Sequence, residues 1–191
     1  MDLRRREFTI LLGGAAAWLL TTCNQQPDRM RRLGVLITFG ESDALAQGWD
    51  AAFRKGLDEL GWRADRNVQL VYRWAAGDAD RLRTFAKELV KLRLGPESYV
   101  VIAGHDREFS QAALRILLLS EAPYLGMMGS RRHTGGLLDE LRAAGISDRS
   151  LARVHTPVGL DLGAQTPEEI ALAAIAHIVA VRRGRSGSPL A

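Results

Sequence analysis

From Arg32 onward the chain alternates short apolar runs with amphipathic stretches of helical spacing. That alternation leaves few folds open, because strands linked by crossover helices must build a mostly parallel sheet covered on both faces. Leu33 to Phe39 reads as the first strand. A helix is predicted over about 43–60, where Leu45, Trp49, Phe53, Leu57 and Leu60 share one face and Gly61 supplies the stop. Val68 to Trp74 is the second strand, and Asp78 is placed to cap a helix carrying Leu82, Phe85, Ala86, Leu89 and Val90. Tyr99 to Ala103 is a near-continuous apolar run suited to a strand buried on both faces. Gly104-His105-Asp106 turns the chain into a helix through Phe109, Ala113 and Leu117, and Pro123 to Met128 is the next strand. A helix is predicted from Arg131 to Ala144, ending at Gly145, followed by an irregular stretch through His155 and Pro157. Thr166-Pro167-Glu168-Glu169 is a capping box with proline at the first helical position. The last helix carries Ile170, Ala173, Ala174, His177, Ile178 and Val181 on one face and ends in Arg182-Arg183-Gly184.

The expected fold is therefore α/β: a three-layer, mostly parallel Rossmann-like sheet of four or five strands with helices on both faces, preceded by an N-terminal signal helix. Residues 1–26 carry that signal, with Arg4-Arg5-Arg6 ahead of an apolar stretch from Phe8 to Leu20. Arg5-Arg6-Glu7-Phe8-Thr9-Ile10 looks like a twin-arginine signal, and Leu20-Thr21-Thr22-Cys23 loosely resembles a lipobox with Cys23 as the acylated residue. The alternative is a short buried helix with Cys23 as an ordinary thiol. One cysteine excludes an intrachain disulfide framework and a cysteine zinc cluster. No apolar run reaches the ~18–20 residues of a spanning helix, so no transmembrane anchor is expected in the mature chain.

Composition changes near Leu92 to Gly95. All four tryptophans (Trp18, Trp49, Trp62, Trp74) precede this seam, and all four histidines (His105, His133, His155, His177) follow it. The net charge of +4 lies entirely on the near side, with sixteen basic and twelve acidic residues up to Arg93 and ten of each beyond. Much of the excess sits in Arg4 to Arg6 and in Arg29, Arg31 and Arg32, the leader and its flank, so no nucleic-acid partner is expected.

The leader together with Leu33-Gly34-Val35-Leu36, Leu60-Gly61-Trp62, Tyr72-Arg73-Trp74-Ala75 and Gly77-Asp78-Ala79-Asp80-Arg81 resembles the opening of ABC-transporter periplasmic substrate-binding proteins. The chain from about Leu94 resembles the C-terminal part of the XdhC family, accessory proteins that handle molybdenum cofactor for xanthine dehydrogenase and related enzymes. Its carrying motifs are Leu94-Gly95-Pro96-Glu97-Ser98-Tyr99, Tyr124-Leu125-Gly126-Met127-Met128-Gly129-Ser130-Arg131-Arg132 and Pro157-Val158-Gly159-Leu160-Asp161-Leu162-Gly163-Ala164-Gln165-Thr166-Pro167-Glu168-Glu169. The segments implied are a signal over 1–26, a βαβα unit over 32–93, an XdhC-like Rossmann half over 94–185 and a tail over 186–191, with 32–185 one hybrid domain if the sheet is continuous. The second resemblance implies an accessory that binds a nucleotide or molybdenum cofactor rather than a catalyst, with a molybdenum hydroxylase as partner. The first implies instead a fragment serving an ABC permease, and a third reading is a fusion without an evolved activity. Localisation is split in the same way, exported by the leader or cytoplasmic by the second half.

Gly129, Ser130, Arg131 and Arg132 fall where a strand ends and a helix begins, a place for backbone amides and guanidinium groups to hold phosphate or carboxylate. A Ser130 cap with solvated arginines is the plain alternative. His105 and Asp106 stand at another strand's carboxyl end, as ligand contacts or as a loop histidine beside a capping carboxylate. Asp161 suits a ribose hydroxyl, a metal or a turn. No catalytic residues or metal ligands are expected: His133 and His155 lack ligand spacing, and His177 lies on an apolar face. The glycine-rich dinucleotide loop of the XdhC family is absent; Phe39-Gly40-Glu41-Ser42-Asp43 occupies that turn with carboxylates that would repel a pyrophosphate.

Overall fold

The computed structural model describes residues 30–64, 66–104 and 106–189; the leader and Cys23 lie outside them. Five strands, β1 (Arg31–Ile37), β2 (Val68–Trp74), β3 (Ser98–Ala103), β4 (Tyr124–Met127) and β5 (Val154–His155), form one sheet in the order β2-β1-β3-β4-β5. Every pairing is parallel. β1 lies between β2 and β3, with Leu33 opposite both Leu70 and Tyr99 and Val35 opposite both Tyr72 and Val101. The strand before the seam and the strand after it are therefore neighbours in one sheet.

Period-two alternation sorts the strand side chains into two cores. Leu33, Val35 and Ile37 join Tyr99, Val101 and Tyr124 beneath helices α1 (Ala44–Glu59) and α7 (Pro167–Arg182). Leu36, Val100, Ile102 and Leu125 face α2 (Ala79–Lys91), α3 (Arg107–Leu117) and α5 (Leu137–Ala143). Gly34 points at α2, where a Cβ would stand 2.9 Å from Leu89 Cδ1, so the missing side chain sets how closely that helix approaches. α1 and α7 meet in the same way: a Cβ on Gly56 would lie 2.7 Å from Ile175 Cδ1.

The seam itself is a tied loop. Arg32 reaches across it, donating from Nη1 to the carbonyls of Leu92 (2.9 Å) and Arg93 (3.3 Å) and from Nε to Gln69 Oε1 (3.2 Å). Leu94 is buried, its carbonyl accepts from Glu121 N at 3.1 Å, and Gly95 N donates to the buried Ser98 hydroxyl at 3.0 Å.

Caps fall where the residue types demand them. Asp43, Asp78 and Asp106 accept from backbone amides at the starts of α1, α2 and α3, and Thr166 and Glu169 complete the capping box of α7. Three expectations change. The helix expected over 131–144 is broken into α4 (Arg131–Thr134) and α5, because Gly136 takes a left-handed conformation at φ +76°. The stretch after Gly145 folds a short helix α6 (Asp148–Leu151) and the two-residue β5. On α1, Leu45 is 73% exposed and Ala46 takes the inward place, so the buried face is Ala46, Trp49, Phe53 and Leu57.

Arg153 anchors the edge strand. Its guanidinium donates to the carbonyls of Ser120 (2.7 Å), Ala122 (2.9 Å) and Leu118 (3.1 Å), the negative end of α3.

Leu114 is fully buried in α3, beyond the seam, whereas every tryptophan precedes the seam. Leu114→Ala should lower stability by roughly 2–5 kcal/mol and shift the tryptophan-fluorescence unfolding midpoint together with the circular-dichroism midpoint; a fluorescence midpoint that stays put would mean two independently folding halves. Thr166→Ala should cost about 1 kcal/mol in urea denaturation through loss of the α7 cap.

Candidate functional site

The carboxyl ends of β4 and β5 open into a cleft of about 550 Å³. One wall is the turn after β4, Met128 to Ser130; the other is the β5–α7 loop, Pro157 to Ala164, with Ile170 and Ala173 of α7 behind it.

Local sequence explains both walls. Gly129 has φ +151°, and a Cβ there would meet Thr134 Cγ2 at 2.7 Å, so glycine lets the chain double back tightly into α4. The Ser130 carbonyl accepts from Thr134 N (3.0 Å) and Thr134 Oγ1 (3.1 Å), which fixes this turn from behind. In the opposite loop, Val158 N donates to Met127 O at 2.9 Å and prolongs the sheet by one rung past His155. Gly159, at φ +100°, presses on α7 so closely that a Cβ would stand 2.9 Å from the Ala173 carbonyl carbon. Leu160 N donates to Ala173 O at 3.1 Å. The loop ends where Glu169 Oε2 accepts from Gln165 N (2.8 Å) and Thr166 N (3.0 Å); those two amides hold the Glu169 carboxyl below the usual carboxylate range.

Of the residues singled out in the sequence, Gly129, Ser130 and Asp161 meet at this cleft. Arg131 opens α4 immediately after Ser130, and Arg132 follows it with an exposed side chain. Asp106 stands at the neighbouring strand end and accepts from Phe109 N at 2.8 Å, the capping role. His105 and Cys23 lie outside the described residues.

Ligands of open parallel sheets commonly sit where the strand order reverses, here between β1 and β3. Thr38 is buried against Gly104 so tightly that a Cβ on Gly104 would lie 2.0 Å from Thr38 Oγ1. In the adjoining turn Asp43 Oδ1 accepts from Ala46 N (2.9 Å), and Gln47 Nε2 donates to Glu41 O (2.6 Å).

Sequence reasoning missed a cluster behind the cleft. The His155 ring stacks on Tyr124 (centroids 4.6 Å apart, 17° between planes), and His177 of α7 meets both edge-on, at 4.4 Å from His155 and 5.3 Å from Tyr124. Burial pushes His155 down to about 4, with the His177 ring adding to the effect, and burial also lowers His177. These residues come from three elements, and no local spacing links them. The one available hint was His177 on an otherwise apolar helical face. Among the described residues no group of three or more His, Cys, Asp or Glu is poised to hold a metal ion, and no helix is long and apolar enough to cross a membrane.

Comparison with known proteins adds the family. The XdhC Rossmann domain matches residues 28–178, crossing the seam and taking in all five strands. The chain is 34% identical over 104 residues to the uncharacterized protein YqeB of Escherichia coli (strain K12), covering 54% of this chain and 19% of that protein. It is 31% identical over 107 residues to a probable xanthine dehydrogenase component of Bacillus subtilis (strain 168), covering 55% of this chain and 30% of that protein. The chain thus spans less than a third of the length of the curated relatives it matches. A crystal structure of a xanthine dehydrogenase from Bacillus halodurans shares the fold, with a TM-score of 0.55 at 23% identity over 82% of this chain and 44% of that one. With a match over residues 28–178, the chain belongs to the XdhC Rossmann domain family.

Proposed function

We propose that this chain is an XdhC-like accessory module that binds a nucleotide or molybdenum cofactor during maturation of a xanthine dehydrogenase type enzyme, and that its ligand occupies the cleft at the ends of β4 and β5. The observation that carries this reading is the position of the cleft, outside the carboxyl ends of parallel strands and walled by two glycine-bearing turns. Similarity to proteins named as xanthine dehydrogenase components supports the choice of partner, a molybdenum hydroxylase.

The lining suits such a ligand in its neutral part. Asp161 accepts hydrogen bonds from ribose hydroxyls or from the amino and ring N–H groups of a purine or pterin. Ser130 donates or accepts as the ligand requires, and Gly129 leaves backbone open to close approach. The phosphate end would fall to Arg131 and Arg132, the guanidinium groups that directly follow Ser130 in sequence. The molybdenum cofactor would be cargo here, held and passed on, so the module works by binding and needs no catalytic residue of its own.

Calorimetry on the full chain with GMP, and separately with molybdopterin, tests this. Binding of either is expected, weakened about tenfold or more, about 1.4 kcal/mol, by Asp161→Ala and by the pair Arg131→Ala with Arg132→Ala. Absence of heat for both ligands at millimolar concentration would overturn the reading.

A further inference from the structure

Three polar atoms stand together behind the β5–α7 loop without a complete hydrogen bond, Tyr124 Oη, His155 Nε2 and His177 Nδ1, and the buried Thr156 Oγ1, next in the chain to His155, makes a fourth. Buried polar atoms are rarely left so, and a group of them marks a feature kept for a reason other than stability. The Gly159 backbone acts on two of the four, favouring ionised Tyr124 and charged His177, yet reaches full hydrogen-bond geometry with neither. Tyr124 is fully buried at the start of β4, His155 ends β5 opposite Gly126, and His177 lies one helical turn beyond Ala173. The loop that leaves this cluster, residues 156–163, is the wall of the cleft.

We propose that Tyr124, His155 and His177 form a proton-operated latch behind that wall: neutral imidazoles packed on the phenol ring anchor the start of the loop, and a proton on His155 releases residues 156–163 and empties the cleft. The ligand part of this inference rests on the reading of the cleft given above. The groups packed with the pair are the Tyr124 phenol from β4 and the Gly159 backbone of the loop, with Thr156 next to His155 in the chain and Asp161 two residues beyond Gly159. Among the described residues the influences on His155 are its burial and His177, and those on His177 are its burial and Gly159. His177 therefore disfavours a proton on His155, whereas the Gly159 backbone favours one on His177.

The direction follows from linkage. A histidine whose proton affinity is depressed in the packed state binds protons more readily once released, so the latch is secure above about pH 6.5 and weakens as pH falls towards about 4.

Nuclear magnetic resonance on isotope-labelled full-length protein, free of ligand, reads this directly. The Val158, Gly159 and Leu160 amides should shift with the same midpoint as the His155 and His177 ring protons, while the Val35 and Val101 amides in the central strands stay put. His155→Phe, which keeps a ring and loses the proton, should flatten the loop response; the wild-type titration carries the test alone if that variant does not fold. Imidazoles that titrate while the loop amides remain still would overturn the latch. Calorimetric runs with GMP and with molybdopterin at about pH 7 separate the two claims: loop amides that titrate in a protein that binds neither support the latch and sink the ligand reading, whereas binding of either with pH-insensitive loop amides does the reverse.

Discussion

The structure depends on β1 lying in the middle of the sheet. A strand between two neighbours and under helices on both faces must satisfy four surfaces at once, and β1 does so with seven residues. Leu33, Val35 and Ile37 fill the core beneath α1 and α7; Leu36 fills the opposite core, and Gly34 cedes its place there to Leu89. Its main chain pairs with β2 on one side and β3 on the other over most of its length. Arg32 then draws the loop at residues 92–95 onto the same strand. Because β1 joins segments from both sides of the compositional seam, the carboxyl ends of the strands fall along one edge, and that edge is where a ligand-binding crevice forms in this class of fold.

The edge is not uniform along its length. Between β1 and β3 a threonine packs against a glycine, and Asp43 in the adjoining turn caps α1. Between β4 and β5 the edge strand is only two residues long, and the chain leaves it in a loop that arches out before returning at Thr166. A short strand followed by a long loop leaves the end of β4 uncovered. The cleft is thus a consequence of β5 ending early, and it holds because Arg153 ties that brief strand to the end of α3.

Where local chemistry decides the structure, the sequence was legible. The four aspartate and threonine caps, the capping box at Thr166 and the buried run from Tyr99 to Ala103 each act within a few residues, and each formed as their types require. Gly136 was harder, since a glycine inside an apolar periodic stretch is compatible with a helix until its left-handed conformation is seen. A two-residue strand has no periodicity to detect. The seam was legible as composition, and the single sheet expected across it is the one that forms: Trp49 and Trp62 from before it share one core with Tyr99 and Tyr124 from after it. Of the site, the Gly129-Ser130 turn and Asp161 were visible as loop residues at strand ends. Tyr124, His155 and His177 were not, because their meeting is set by the β4–β5 register and by the height of α7 above the sheet, neither of which is encoded nearby.

That cluster also bears on why the wall of the cleft is built as it is. Gly159 presses on α7 with no room for a side chain, and main-chain bonds from Val158 to Met127 O and from Leu160 to Ala173 O flank it on either side. An apolar group in place of either imidazole would remove an unpaired buried atom, each of which costs about 1–3 kcal/mol, and would give a firmer wall. A wall made firm in that way could not respond to a proton. The fold therefore places a group of unpaired polar atoms next to the segment whose movement would matter most for a bound ligand, while the middle of the central strands, from Leu33 to Ile37 and from Tyr99 to Ala103, is built from apolar residues and Tyr99.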